Sequence, residues 1–284
     1  MPESLLLAGF LPEIAARSHF VPLPPILHED DALIAFDKPS GLAVARDRRA
    51  KAGASLMEDV QTAFGPEVAN VHRLDTDASG VFLCARTKPA LDFLSGQFQA
   101  KTVARKHFAL VVVQDPATAA RAAAVERLAG GGLPSEFTVD LALGEDSAHP
   151  GRVCVVGKRD GKASATEFRV LEAFGRFVWL ECRPLTGRAH QIRVHLAAIG
   201  APVLQDALYG NPENQLLLSN LKRRYKGRDQ ERPLIGRLAL HAGEMTIVHP
   251  DTRSALTLSA ALPHEFEVAL KYLRRYAAPG GAKR

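Results

Sequence analysis

The sequence predicts an α+β fold: one domain built on a mixed, mostly antiparallel β-sheet flanked by helices and loops. Three observations predict it. Short apolar runs with strand character outnumber amphipathic helical stretches. Two runs, 166–173 and 176–185, face each other across Gly175 as a hairpin, and another pair follows near 236–249 and 254–260. No internal repeat or low-complexity tract interrupts the 284 residues, a length that supports a sizeable core.

In chain order, residues 1–25 hold five prolines and little periodicity, which predicts an extended N-terminal arm. The body is placed at 26–276. Ala32 to Phe36 reads as a strand, followed by a turn at Lys38-Pro39-Ser40-Gly41. The basic segment 46–53 reads as a loop. Ser55 is placed as the cap of a helix through Met57, Val60 and Phe64 that stops at Gly65-Pro66. Val81-Phe82-Leu83-Cys84-Ala85 is apolar throughout, the pattern of a buried strand. Lys88-Pro89 opens a helix whose Leu91, Leu94 and Phe98 fall three and four apart, and 107–113 is the next strand.

Residues 115–165 are the least patterned; the alanine-rich piece 117–129 fits a helix ended by Gly130-Gly131-Gly132. After the hairpin, a helix is predicted from Arg188 to Ile199, ended by Gly200. Residues 211–235 are polar and basic with no core pattern, which predicts a surface insertion. A helix at 264–276 and a basic tail at 277–284 complete the chain.

Composition narrows the function classes. Hydrophobic residues make up 46% and charged residues 24%, which is ordinary globular usage. No apolar stretch approaches the ~18 residues of a membrane span. Leu5-Leu6-Leu7-Ala8-Gly9-Phe10 lacks the basic residues that precede a signal sequence. Cys84, Cys154 and Cys182 are far apart and lack metal-site spacing, so they read as reduced thiols in a cytoplasmic protein. Neither a phosphate-cradling glycine loop nor a metal-ligand motif occurs, so no cofactor and no metal are expected. Net charge is +5, a mild excess, but the basic residues cluster. Arg46, Arg48, Arg49 and Lys51 form one group; Lys101, Arg105 and Lys106 a second; Lys222, Arg223, Arg224, Lys226 and Arg228 a third. Each alone is an ordinary solvated run. Together they suit a phosphate-bearing partner.

Two polar stretches stand out. His72-Arg73-Leu74-Asp75-Thr76-Asp77-Ala78-Ser79-Gly80 feeds the buried run that starts at Val81, so its base is held rigidly. By spacing alone it presents a carboxylate to a site, or is a polar turn with Asp bonded to nearby amides. Gly187-Arg188-Ala189-His190-Gln191-Ile192-Arg193-Val194-His195-Leu196 is the second, closing with Gln205-Asp206-Ala207-Leu208-Tyr209-Gly210. Together with Asp37-Lys38-Pro39-Ser40-Gly41-Leu42 they resemble the RluA-type pseudouridine synthases over roughly residues 26–270. The signatures of that family are close to His-Arg-Leu-Asp-x-x-Thr-Ser-Gly and Gly-Arg-Thr-His-Gln-Ile-Arg-Val-His.

The resemblance implies the pseudouridine synthase fold and isomerisation of uridine in structured RNA, a ribosomal or transfer RNA stem-loop, without a cofactor or metal. It makes Asp75 the catalytic carboxylate, as nucleophile or as base. Arg193 becomes its guanidinium partner. Arg73 becomes the residue that takes the space of a flipped base, with Leu74 beside it. Arg188 and His190 fall as phosphate or loop contacts, and Lys38 joins the RNA-binding set. His72 and His190 are equally suited to bracing the loop. The chain departs from the family at Arg105-Lys106-His107-Phe108-Ala109, where His107 stands at the position of a usual tyrosine. His107 is able to stack on uracil or act as base, while a bulge would bring Phe108 in instead. Ala78 replaces a usual threonine and Gln205 a usual glycine.

Many relatives carry an N-terminal RNA-binding domain for which this chain has too few residues. Target choice is therefore expected to rest on the loop 45–54 and the insertion 211–235, in a monomer that does not use a membrane. Two other readings use the same residues. One is an RNA-binding or folding-assistant protein that has lost turnover, which His107 favours and Asp75 and Arg193 oppose. The other is a glycosidase pairing Asp75 with Asp77 or Asp206, which the 6% aromatic content and single tryptophan, Trp179, disfavour.

Overall fold

The computed structural model describes residues 23–45, 55–115, 117, 121, 124–222, 225, 227 and 230–277. Most of the N-terminal arm, the basic loop 46–53, most of the third basic cluster and nearly all of the tail therefore lie outside the described residues.

The strands are β1 (Ile26–Glu29), β2 (Leu33–Lys38), β3 (Ala69–Asn70), β4 (Ser79–Ala85), β5 (Ala104–Val112), β6 (Glu136–Asp140), β7 (Leu143–Glu145), β8 (Val153–Val155), β9 (Ala165–Phe174), β10 (Phe177–Pro184), β11 (Leu240–Val248) and β12 (Ala255–Ser259). The helices are α1 (Leu56–Phe64), α2 (Lys88–Gln99), α3 (Gln191–Ala198), α4 (Leu218–Leu221) and α5 (His264–Tyr276). Ten strands form one sheet in the order β1-β2-β4-β11-β5-β10-β9-β6, with β12 on β11 and β3 on β4; β7 and β8 pair separately. The only parallel pair among the described strands is β11 with β4, through His241–Ser79 and Ala242–Gly80. This is the mixed, mostly antiparallel α+β architecture that the sequence predicts.

That parallel contact has a steric requirement. A Cβ on Gly80, whose φ is +111°, would lie 2.1 Å from the Ala242 carbonyl oxygen. Glycine is therefore needed for β4 to approach β11, and Asp75 lies just upstream of this junction. Three apolar clusters meet around it. One packs β5, β9, β10 and β11 against α3 and α5, a second lies under α2, and a third joins β2 and β4 to α1. Leu74 touches both the first and the third, so the Asp75 loop is pinned where two cores adjoin.

The helix ends follow local chemistry. At α1, the Ser55 amide donates to the Glu58 carboxylate at 3.2 Å, half of a capping box, and Gly65 ends the helix at φ +108°. Thr87 caps α2 by accepting from the Ala90 amide. Helix α5 buries Phe266, Ala269, Leu270 and Leu273 and carries acids in its first turn and arginines in its last.

Four boundaries differ from the sequence reading. Helix α3 begins at Gln191, not Arg188. The Gln191 side chain accepts from the Thr186 hydroxyl and the Arg188 amide, and donates to the Ala165 carbonyl. It thereby ties 186–190 to β9 as a turn, and His190 takes the left-handed conformation at φ +52°. Strand β5 starts at Ala104 rather than 107, because Thr246 pairs Ala104. Of the predicted helix 117–129 only 117, 121 and 124–129 are described; 117 and 124 take 3₁₀ conformation, and 125–129 are not helical. The segment 211–235 is not wholly superficial: Leu216 and Ile235 are buried in the main core, and the Leu234 amide donates to the Leu216 carbonyl. Leu221 and Leu234 also pack on that core, so the apolar anchors sit at the two ends of the segment and the polar, basic stretch between them carries no core pattern.

Candidate active site

A cleft of about 440 Å³ opens between the 71–75 loop, β5 and the 184–193 turn and helix. Asp75 lies in it with its side chain 14% exposed. Its Oδ2 accepts from Arg193 Nη1 at 3.3 Å, and its Oδ1 lies 4.0 Å from His190 Nε2. The Arg193 side chain is 2% exposed, which is costly for a cation unless it is paired. Its stronger partner is not Asp75. Arg193 Nε and Nη2 each donate to Asp206 at 2.8 Å in a two-point fork, and the Asp206 side chain is fully buried. Asp206 Oδ1 also accepts from the Leu208 and Tyr209 amides, and Arg193 Cζ lies 5.3 Å from the Tyr209 ring centre. Burial opposes the charge on Arg193, but Asp206 and then Asp75 outweigh it and hold the guanidinium protonated well above its ordinary range. Asp206 and Tyr209 were missed as site residues. The Asp-x-x-Tyr-Gly run after α3 was the signal that could have found them.

Two other residues support the loop. Lys38 is fully buried, and its Nζ donates to the carbonyls of Pro39 and Leu42 at 2.8 Å and of Thr76 at 3.0 Å. All three ammonium hydrogens are used, so Lys38 clamps the Asp75 loop and has no donor left for RNA; its place in an RNA-binding set is corrected accordingly. Burial lowers its pKa to about 8. His72 accepts the Leu83 amide at Nε2 and stacks on Phe98 at 5.5 Å, which is the bracing arrangement. Burial lowers its pKa to about 4.

Arg73 and Arg188 are exposed at the cleft, and Leu74, His107 and His190 also line it. Phe108 does not. Regular pairing of His107 with Cys182 and Phe108 with Glu181 keeps the strand alternating, so Phe108 faces the opposite side and stacks on Trp179 at 5.6 Å. The bulge lies instead on the neighbouring strand at Gly243, where a Cβ would meet the Phe108 ring at 2.5 Å. Burial, then the nearby Arg105, depress the His107 pKa to about 3, and its buried Nδ1 makes no hydrogen bond among the described residues. It presents a neutral ring to the cleft, which suits stacking on a flat base. Strand alternation also divides the second basic cluster. Arg105 turns inward to the Pro184 and Thr186 carbonyls, whereas Lys106 pairs with Glu244.

Among the described residues, His28, Asp30 and His249 are close enough to hold a metal ion. Their hydrogen bonds favour another role. His249 Nδ1 accepts the Asp251 and Thr252 amides, which puts the ring proton on Nε2, where it donates to Asp30 at 2.9 Å. A ligating imidazole needs the reverse tautomer. The trio is a clasp between the β1–β2 turn and the β11–β12 hairpin.

The model for RNA pseudouridylate synthase matches residues 32–198, which include the Asp75 loop and the whole of the Arg193 helix. The chain belongs to the RNA pseudouridylate synthase family. It is 34% identical over 262 residues to ribosomal large subunit pseudouridine synthase D of Nitrosomonas europaea, covering 91% of this chain and 67% of that protein. It is 33% identical over 238 residues to dual-specificity RNA pseudouridine synthase RluA of Escherichia coli O157:H7, covering 83% and 91%. Human RNA pseudouridylate synthase domain containing 4 superposes with a TM-score of 0.61 at 25% identity, over 88% of this chain and 92% of that one. The family member described here is thus an isomerase acting on uridine in RNA. Among the described residues no helix is long and apolar enough to cross a membrane.

Proposed function

We propose that this synthase isomerises uridine in a ribosomal RNA stem-loop, with Asp75 as the carboxylate that acts at the sugar of the flipped nucleotide. The observation that carries the reading is a carboxylate in a cleft fixed by a buried guanidinium that is itself held by a second carboxylate. Isomerisation breaks the bond from C1′ to N1 of uracil and forms one from C1′ to C5. The C5 proton leaves and N1 gains one, so no redox step or outside group is needed. A fixed, partly desolvated carboxylate beside C1′ suits that exchange.

Leaving the stack requires that something replace the base, and Arg73 and Leu74, beside Asp75, are placed to do so. Arg188 supplies charge for phosphate, while His107 offers a flat neutral face to the uracil. Salt should therefore weaken RNA binding steeply. The relative in Nitrosomonas europaea is named for the ribosomal large subunit, which supports a ribosomal target. The three free cysteines, two of them buried, support a reducing, cytoplasmic setting, and a monomer suffices because one chain supplies Asp75, Arg193 and Asp206. The loop 45–54 and the 211–235 insertion remain the proposed readers of RNA shape.

The test is pseudouridine mapping of cellular RNA from cells with the gene intact, deleted, or carrying Asp75→Ala. Sites lost in both altered strains support the proposal and identify the substrate. Sites lost on deletion but kept with Asp75→Ala would refute Asp75, and no change at any site would favour the RNA-binding protein without turnover.

A further inference from the structure

We propose that Tyr209 is a positioning residue that fixes the ring tautomer of His190, so that a neutral Nε2–H faces the free oxygen of Asp75. The proposal rests on the assignment of Asp75 as the reacting carboxylate and adds a device that controls it.

The argument starts at the hairpin. The Val153 amide lies 2.9 Å from the Tyr209 hydroxyl and can only donate, so the phenol oxygen accepts there. The other partner of that hydroxyl is His190 Nδ1 at 2.8 Å. With the oxygen already accepting, the arrangement that satisfies every polar hydrogen sends the phenol proton to Nδ1. Nδ1 is then an acceptor, and the proton of the neutral imidazole resides on Nε2. That nitrogen lies 4.0 Å from Asp75 Oδ1, whereas Oδ2 is held by Arg193. The opposite tautomer would set a lone pair against a carboxylate oxygen. Contacts of this length in a substrate-free site shorten when the cleft fills.

Three further features point the same way. His190 adopts φ +52°, an uncommon conformation for a residue with a side chain, which sets its ring toward Tyr209. Tyr209 stands edge-on to the His190 ring and lies against the Arg193 guanidinium. Its own amide bonds Asp206, so one residue touches each member of the site except Asp75. Burial also holds His190 below its ordinary pKa, with Asp75 pulling in the other direction, which suits a neutral ring.

The experiment uses the full chain labelled with 15N-histidine, without RNA, together with single-turnover kinetics on a stem-loop identified by the mapping above. The wild-type spectrum should show His190 with bare Nδ1 and protonated Nε2. Protonated Nδ1 in that spectrum overturns the proposal by itself. Tyr209→Phe keeps the ring beside Arg193 and should convert His190 to mixed tautomers. It should lower kcat about tenfold and leave KM within twofold. In a His190→Gln background, Tyr209→Phe should have no further effect on kcat, because the two residues act through one group. An unchanged tautomer in Tyr209→Phe, or effects that multiply in the double variant, would also overturn it. Failure of the underlying reading has a different signature, which is an Asp75→Ala protein that still forms pseudouridine while the wild-type spectrum remains as expected.

Discussion

Asp206→Asn tests the claim that Arg193 is held primarily by Asp206 rather than by Asp75. The substitution keeps the shape of the side chain and an acceptor for the Leu208 and Tyr209 amides. It removes one of two charge-assisted bonds of 2.8 Å between side chains at 2% and 0% exposure. Breaking a fully buried ion pair costs about 3–5 kcal/mol, because the remaining charge loses its compensation. Asparagine keeps one neutral bond and Asp75 remains at 3.3 Å, so the lower end, about 3 kcal/mol, is expected. For a domain of this size that corresponds to a fall in Tm of roughly 6–12 °C. Thermal melts and urea unfolding of the purified variant measure it, and turnover should fall as well, since the guanidinium loses what fixes its plane. A Tm within about 2 °C of wild type would refute the reasoning, because the fork would then contribute no more than an exposed surface pair.

Four other outcomes follow from the geometry. Arg193→Ala should abolish turnover while RNA affinity, read by fluorescence anisotropy on protein shown to be folded, stays within a few-fold; lost binding with normal turnover of bound RNA would overturn the assignment. Lys38→Met should lower kcat at least tenfold with unchanged RNA affinity, because Nζ faces three carbonyls rather than the cleft; weakened RNA binding with normal kcat would restore the RNA-contact reading. His195 and His241 are buried with pKa values lowered to about 4, so the unfolded chain binds more protons between pH 6.5 and 4. Their contribution is complete above about pH 6.5 and is lost as pH falls toward 4, about 2 kcal/mol each at pH 5, and urea titrations at pH 7 and 5 check the sign. Replacing 222–230 by a short glycine-serine linker should alter which RNA sites are modified while leaving Tm within about 2 °C, since the buried anchors Leu216 and Ile235 remain; an unchanged modification pattern would remove that segment from target choice.

The parts of the fold legible in the sequence were those with a repeating signal. The buried run at 81–85, the 3.6-residue spacing of Leu91, Leu94 and Phe98, and the amphipathic 264–276 all became the elements their patterns required. The misplaced start of α3 came from a side-chain effect. Gln191 captures the Thr186 hydroxyl and the Arg188 amide, and no propensity encodes a glutamine that faces backward. At the site, the motifs located Asp75, Arg193 and His190 in one cleft. They could not show that Lys38 points inward, because lysine at the end of a strand suits solvent equally well until its three carbonyl partners are known.

Gln205 illustrates the same limit and yields a final test. It stands where relatives usually have glycine, and it takes φ +59° directly before Asp206. A left-handed residue with a side chain costs about 1–2 kcal/mol, whereas glycine loses about 0.4–1 kcal/mol through the greater freedom of the unfolded chain. Gln205→Gly should therefore stabilise the protein by about 0.5–1 kcal/mol, raising Tm by roughly 1–4 °C. The sign separates two accounts of the departure. A rise means that the chain tolerates strain beside the Asp206–Arg193 fork, and lower turnover in the relaxed variant would tie that strain to holding Asp206 in place, whereas equal turnover would show the strain to be incidental to the site. A fall in Tm would mean that the glutamine side chain contributes contacts worth more than the backbone strain, and the strain argument at this position would fail.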